Sequence, residues 1–211
     1  MKAAAKRTKK KTETKLKKSV FCGTSLDGFL ARPDDTFDFL TAGEGVPHGF
    51  VEFLASVDVI VLGRRTFDVV MKLGHLGLYG KKRIVVLSRR PLDFPDVKGA
   101  TLEQMAGTPQ EIVAQLEATG AKHAYVDGGI TIQDFLRAGE IDRIIVTRVP
   151  VLIGTGIPLF GEVPHDLHLR HIATRSFPSG LVQSEYAIGG AEEKKGRTRR
   201  PVNRRKKKKN S

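Results

Sequence analysis

Residues 58–62 (DVIVL), 83–87 (RIVVL), 123–126 (HAYV) and 143–149 (RIIVTRV) are short apolar runs, each bounded by polar or glycine-bearing turns. They are too short for buried helices, and most lack the polar alternation of a strand with one wet face. Strands buried on both faces remain. Such strands belong to a parallel sheet covered by helices, and helical stretches lie between the runs. Residues 49–56 space Phe50, Phe53 and Leu54 on one helical face, and 65–73 follow as a second helix. Residues 108–119 begin with Thr108 as N-cap, Pro109 at the first helical position and Glu111 in the first turn, and stop at Gly120. Residues 131–138 form a helix stopped by Gly139, and 19–25 (SVFCGTS) form a further strand. Residues 166–176 and 181–188 alternate apolar and polar around Pro178-Ser179-Gly180, a hairpin pattern. The expected fold is α/β: a twisted, mostly parallel sheet with helices on both faces and an antiparallel C-terminal hairpin.

Charge divides the chain differently. Of 211 residues, 36 are basic and 23 acidic, a net charge of +13. Residues 1–18 carry nine basic and one acidic residue, and 190–211 carry eleven and two, so 19–189 is left at −4. Neither end has an apolar periodicity able to bury a core. The expected division is a disordered basic tail (1–18), one domain (19–189) and a second disordered basic tail (190–211). One reading of the tails is nucleic-acid or polyanion contact driven by counterion release, with the domain as scaffold. The other is solvated ends that keep the protein soluble. Cys22 is the only cysteine, which excludes an internal disulfide framework and multi-cysteine zinc sites. No apolar run approaches a membrane span and no secretory pattern opens the chain, so a cytoplasmic protein is expected. His165, His168 and His171 are read as strand residues on opposite faces, and no metal site is assigned.

Three strand ends carry the chemistry. Residues 63–66 (GRRT), 88–90 (SRR) and 127–129 (DGG) close three of the buried runs. In a parallel sheet these ends share one edge, where ligands of open α/β sheets bind. Gly128-Gly129 allows close backbone approach, and the helix after it offers free N–H groups at a positive dipole end, which suits a pyrophosphate. Thr66 opens another helix in the same way. Arg64, Arg65, Arg89 and Arg90 add guanidinium forks for a further phosphate, which NADPH has and NADH lacks.

At these residues the chain resembles the dihydrofolate reductase superfamily, in the branch similar to the reductase domain of bacterial riboflavin-biosynthesis deaminase–reductases. The stretches that carry the resemblance are SLDGFLA (25–31), ASVDVIVLGRRTFD (55–68), IVVLSRR (84–90), YVDGGITIQDFL (125–136), AGEIDRIIVTRVPVLIGTGIPLF (138–160) and SFPSGLVQSEY (176–186). The resemblance implies a twisted sheet with helices on both faces, NADPH as hydride donor and a homodimer. By position it implies that Gly63, Arg64, Arg65 and Thr66 hold the pyrophosphate and approach the adenosine-side phosphate. Ser88, Arg89 and Arg90 would lie near the ribose phosphate. Asp127, Gly128, Gly129, Ile130 and Thr131 would form the turn and helix start under the pyrophosphate. Gly23, Thr24, Leu30 and Ala31 would line the nicotinamide, and Thr147 would face the substrate ring.

The implied activity is an NADPH-dependent reductase of a small planar heterocycle, pyrimidine- or pterin-like. Phe21, Phe37 and Phe39 are candidates for the flat wall of its pocket. The folate enzymes place one carboxylate in the substrate pocket soon after the first strand, and Asp38 and Glu44 are the catalytic candidates in that stretch, ahead of Glu52. Asp27 is read as a turn residue because Gly28 follows it. The riboflavin enzymes have glutamate where Asp127 stands. Their Ser-Arg and His-x-Leu-Arg pattern between the first strand and the GRRT turn has no counterpart here. A third reading is a superfamily member that binds NADPH without turnover.

Overall fold

The computed structural model describes residues 15–43, 45, 47–97 and 99–189, and only the backbone of 41–43. Most of the two expected tails and the candidate Glu44 lie outside the described residues. Strand β1 (Lys17–Ser25) and the short β2 (Phe29–Ala31) are followed by a 3-10 turn (Asp38–Gly43) and helix α1 (Phe50–Ala55). Then come β3 (Val59–Gly63), α2 (Arg64–Lys72), a 3-10 turn (His75–Tyr79), β4 (Arg83–Leu87) and β5 (Thr101–Met105). The chain continues through α3 (Pro109–Ala118), β6 (His123–Asp127), α4 (Gly129–Arg137), β7 (Arg143–Val149), β8 (Ile157–Pro158), β9 (Leu169–Ser176) and β10 (Val182–Ile188).

Eight strands form one sheet in the order β5-β4-β3-β6-β1-β7-β10-β9, and β2 pairs with β8 in a separate two-stranded ribbon. Strands β5 through β7 in that order are mutually parallel, while β10 runs antiparallel to β7 and β9 antiparallel to β10. The alternation of side chains along the central strands divides the core in two. Val20, Val59, Val61, Val85, Val126, Ile144 and Val146 pack under α3 and α4. Phe21, Ile60, Leu62, Ile84, Val86, Tyr125 and Ile145 pack under α1, α2 and the second 3-10 turn. Both sets bear on the site, because each strand that reaches it is fixed from both sides.

Local chemistry sets the helix starts. Thr108 caps α3 by accepting from the Glu111 N–H, and the Glu111 carboxylate accepts in return from the Thr108 N–H, 2.7 Å away. Such a box is worth about 1 kcal/mol. Helix α4 starts two residues earlier than expected, with Gly128 as N-cap and Gly129 inside the helix.

The first strand also starts two residues early, at Lys17, so the domain boundary drawn at residue 19 falls inside β1. Lys17 and Lys18 pair with His123 and Ala124. Lys18 is fully buried, with its ammonium 3.1 Å from Asp142 and 3.3 Å from Glu140. A buried cation is tolerated only with such company. Among the described residues, no helix is long and apolar enough to cross a membrane.

Candidate functional site

Strands β4, β3, β6 and β1 end side by side on one edge of the sheet, and a cleft of about 720 Å³ opens there. Two helices begin at its floor. The cap glycine of each receives a threonine of the other. A Cβ on Gly63 would stand 2.6 Å from Thr131 Oγ1, and a Cβ on Gly128 would overlap Thr66 Oγ1. This reciprocal packing brings the N-termini of α2 and α4 together. Gly128 has φ +94°, which favours glycine. Neither α2 nor α4 has a side-chain cap, in contrast to the box on α3. Their first amides therefore point to the cleft without a side-chain acceptor, with two positive dipole ends beside them.

Cations gather on the β3–β4 side of this floor. Arg64, Arg65 and Arg89 line the cleft with Ser88. Arg65 Nε lies 2.9 Å from Asp35, and Arg64 lies 3.6 Å from Asp68 one turn on. These are exposed pairs of the weak kind that an incoming phosphate can displace. The Ser88–Leu92 turn that carries Arg89 is clamped by Gln104 of β5. Gln104 Nε2 donates to the carbonyls of Ser88 (2.8 Å) and Arg90 (2.9 Å), while its Oε1 accepts from the Leu92 N–H (3.0 Å).

The other end of the cleft, beside β6 and β1, is aromatic. The Phe21 and Phe50 rings lie 5.4 Å apart, and Tyr125 is 6.3 Å from Phe50 and 6.5 Å from Tyr79. One carboxyl stands among them. Asp127 accepts from the Gly128 N–H (2.8 Å) and from the Tyr79 hydroxyl (3.2 Å), and the Tyr125 hydroxyl is within its reach. Burial pushes the Asp127 carboxyl above the usual range for an aspartate, against the pull of those donors. The same burial, with the Asp127 charge, pushes the Tyr79 hydroxyl and the Cys22 thiol upward. Asp35 and Asp134 also reach the cleft, but they are tied to Arg65 and Arg137.

Most of the expected site residues meet here. Gly63, Arg64, Arg65 and Thr66, then Ser88 and Arg89, then Asp127 through Thr131, and finally Gly23, Leu30 and Ala31 all line the cleft, together with Phe21 and Phe37. The β2–β8 ribbon brings Leu30 and Ile157 over Gly129. Five of the expected residues lie elsewhere. Thr24 is buried and Arg90 is exposed, and neither lines the cleft. Thr147 is buried in β7, one strand beyond β1, where its hydroxyl accepts from Gln183 Nε2 (2.9 Å). The same Nε2 donates to the His48 carbonyl, so Thr147 supports the His48 loop from behind. Asp38 is exposed outside the lining, and Arg32 beside it (2.6 Å) holds its carboxyl low, which makes it a poor proton donor. Phe39 is buried under Arg32 instead of facing the cleft. Asp27 is the turn residue expected of it, with its carboxylate holding the Gly154 N–H at 2.8 Å.

Tyr79, Gln104, His48 and Phe50 take part without having been singled out as site residues. Tyr79 and His48 sit in loops with no periodic pattern, Gln104 belongs to an edge strand without an apolar run, and Phe50 read only as one face of a helix.

The sequence matches the family described as RibD C-terminal domain over residues 19–183. A solved Shewanella sp. PV-4 protein, provisionally assigned to riboflavin biosynthesis, is 34% identical with TM-score 0.77, covering 82% of this chain and 99% of that one. The Thermotoga maritima diaminohydroxyphosphoribosylaminopyrimidine deaminase/5-amino-6-(5-phosphoribosylamino)uracil reductase is 14% identical with TM-score 0.68, covering 84% of this chain and 58% of that one. Dihydrofolate reductase of Enterococcus faecalis, solved with NADP(H), is 16% identical with TM-score 0.56, covering 83% and 97%. The last two likenesses show the fold alone.

Proposed function

The chain belongs to the RibD C-terminal domain family, and from that premise we propose that it is an NADPH-dependent reductase of a small planar nitrogen heterocycle. The observation that carries the reading is the pairing of two glycine-capped helix starts with three guanidinium groups at one end of a cleft whose other end is aromatic. The residues present fit a phosphorylated dinucleotide. The open amides at Gly129 and at the start of α2 suit a pyrophosphate, and Arg64, Arg65 and Arg89 suit a further phosphate. The β2–β8 ribbon and Gly23 are placed to line the nicotinamide end. When bound, NADPH supplies the hydride.

The chain's own residues do the rest. Phe21, Phe50 and Tyr125 hold a flat ring and exclude water, which keeps the reacting atoms in place. Asp127 holds the proton. A hydride on the carbon of a C=N bond and a proton on its nitrogen complete a two-electron reduction. Burial favours the protonated carboxyl, so Asp127 keeps a proton to donate at higher pH than an ordinary aspartate does.

NADPH is expected to bind the full chain at micromolar levels, and NADH at least about tenfold more weakly, a difference of about 1.4 kcal/mol. Titration followed by nicotinamide fluorescence and melting temperature reads both. Binding of neither at millimolar levels overturns the reading. Gln104→Leu frees the turn that carries Arg89. It should weaken NADPH about tenfold and leave NADH unchanged. Equal losses for both nucleotides would mean that Gln104 serves the fold and not the extra phosphate.

We also read the protein as a cytoplasmic homodimer. Its edge strand β9 is exposed on both faces, with Leu169 and Ile172 open to solvent, an edge of the kind that pairs with another chain. Light scattering behind gel filtration should give twice the chain mass, and a monomer at micromolar concentration rules the dimer out.

A further inference from the structure

The cleft is divided by charge along the strand order. Its cations, Arg64, Arg65 and Arg89, all follow β3 and β4. The side formed by β6 and β1 presents Phe21, Gly23, Tyr125 and the Asp127 carboxyl, and Phe50 and Tyr79 close it from the helical layer. Resting on the reductase reading above, we propose that the compound reduced here is a flat, unphosphorylated nitrogen heterocycle whose N–H edge meets the Asp127 carboxyl.

Three observations lead to it. First, the guanidinium groups are the ones the cofactor's phosphates need, and they stand at the opposite end from the aromatic rings. A second phosphate at the aromatic end would be desolvated among Phe21, Phe50 and Tyr125 and set beside a carboxyl. Second, among the described residues no guanidinium or ammonium lines that end of the cleft. Arg175 of β9 approaches Gly49, with its Nη1 3.9 Å from where a Cβ would stand, but it does not line the cleft. Third, the Asp127 carboxyl lines the cleft with hydrogen-bonding capacity beyond its Gly128, Tyr79 and Tyr125 neighbours. Oδ1 accepts from Gly128 N–H and Oδ2 from Tyr79, and a carboxyl oxygen can accept twice. A ring edge that carries an N–H beside the nitrogen to be protonated matches such a carboxyl, which accepts from the one and donates to the other.

The substrate half thus departs from the phosphorylated uracil in the name of the Thermotoga neighbour. The test uses the full chain loaded with NADPH. Its probes are 5-amino-6-(5-phosphoribosylamino)uracil and the same compound after phosphatase treatment, with binding read by calorimetry and melting temperature. Removal of the phosphate should leave affinity unchanged or raise it, and Asp127→Asn should weaken the dephosphorylated compound at least about tenfold. Affinity that falls tenfold on dephosphorylation overturns the proposal. If Arg175→Ala then removes the preference, Arg175 is the phosphate partner. Binding of neither compound by a chain that binds NADPH overturns the substrate class and leaves the reductase reading standing. Failure to bind NADPH at all is the separate failure of that reading.

Discussion

Asp127→Asn should cut turnover by about 10²- to 10⁴-fold, the range that one positioned proton donor supplies, while NADPH affinity stays within a factor of about two. Asparagine keeps the shape of the side chain. Its Oδ1 can still accept from the Gly128 N–H, and its amide can reverse the bond to Tyr79, so the turn under the cofactor survives. What it loses is the proton. The pH profile separates this from a packing effect. Burial raises the folded pKa of Asp127, so the protonated, active form persists to higher pH than for an ordinary aspartate. The wild-type rate should fall as pH rises through that raised value, and the variant should lack this limb. Stability moves the other way. A carboxyl whose folded pKa lies above its unfolded one favours the fold fully below the unfolded pKa. That contribution is lost as pH rises through the folded pKa. Above that raised value the wild-type protein carries a buried, partly compensated charge that asparagine does not. The variant should melt at the same temperature or higher, and its advantage should vanish in acid. An inactive variant that also melts well below wild type at neutral pH would show that Asp127 is structural.

The parts of this molecule that were legible beforehand are those fixed by local pattern. Val59–Gly63, Arg83–Leu87 and Arg143–Val149 form buried strands because unbroken apolar runs of that length have few other uses. The glycine turns after them were legible as a ligand edge because the parallel sheet puts those ends together. Strand β5 was not legible. It sits at the edge, and its half-buried sequence, TLEQM, contains no apolar run to announce it. Gln104 therefore escaped notice, although it holds the arginine-bearing turn. The resemblance to the folate enzymes puts a carboxylate after the first strand, where Asp38 lies, and tertiary packing places Asp38 outside the cleft lining. Arg32 took Asp38 into solvent, and the Tyr79 turn closed over Asp127. Burial is a property of what surrounds a residue, and Asp127 sits against Tyr79, Leu62 of β3 and Cys22 of β1, all distant in sequence.

Gly128→Ala should all but abolish NADPH binding, by at least about a hundredfold, and destabilise the fold by about 2–6 kcal/mol. Two costs combine. An alanine at φ +94° is strained by about 1–3 kcal/mol. Its Cβ would also overlap Thr66 Oγ1 and crowd Thr66 Cβ at 3.1 Å, and overpacking of this kind costs about 1–3 kcal/mol. For a domain this size, each kcal/mol lowers the melting temperature by about 2–4 °C. The effect on the ligand is larger than the effect on the fold, because the contact that breaks is the one that draws the two helix starts together. Spreading α2 from α4 moves both sets of free amides away from one phosphate position. Gly139→Ala is the control. Gly139 ends the same helix at φ +69° with nothing within 4 Å of a new Cβ. It should cost about 1–2 kcal/mol of strain and leave NADPH binding unchanged. Adding Thr66→Ala to Gly128→Ala tests the packing share directly. The double variant should recover part of the lost stability, a coupling expected of residues in contact. No recovery would assign the whole cost to backbone strain, and NADPH binding unaffected by Gly128→Ala would remove this turn from the cofactor site.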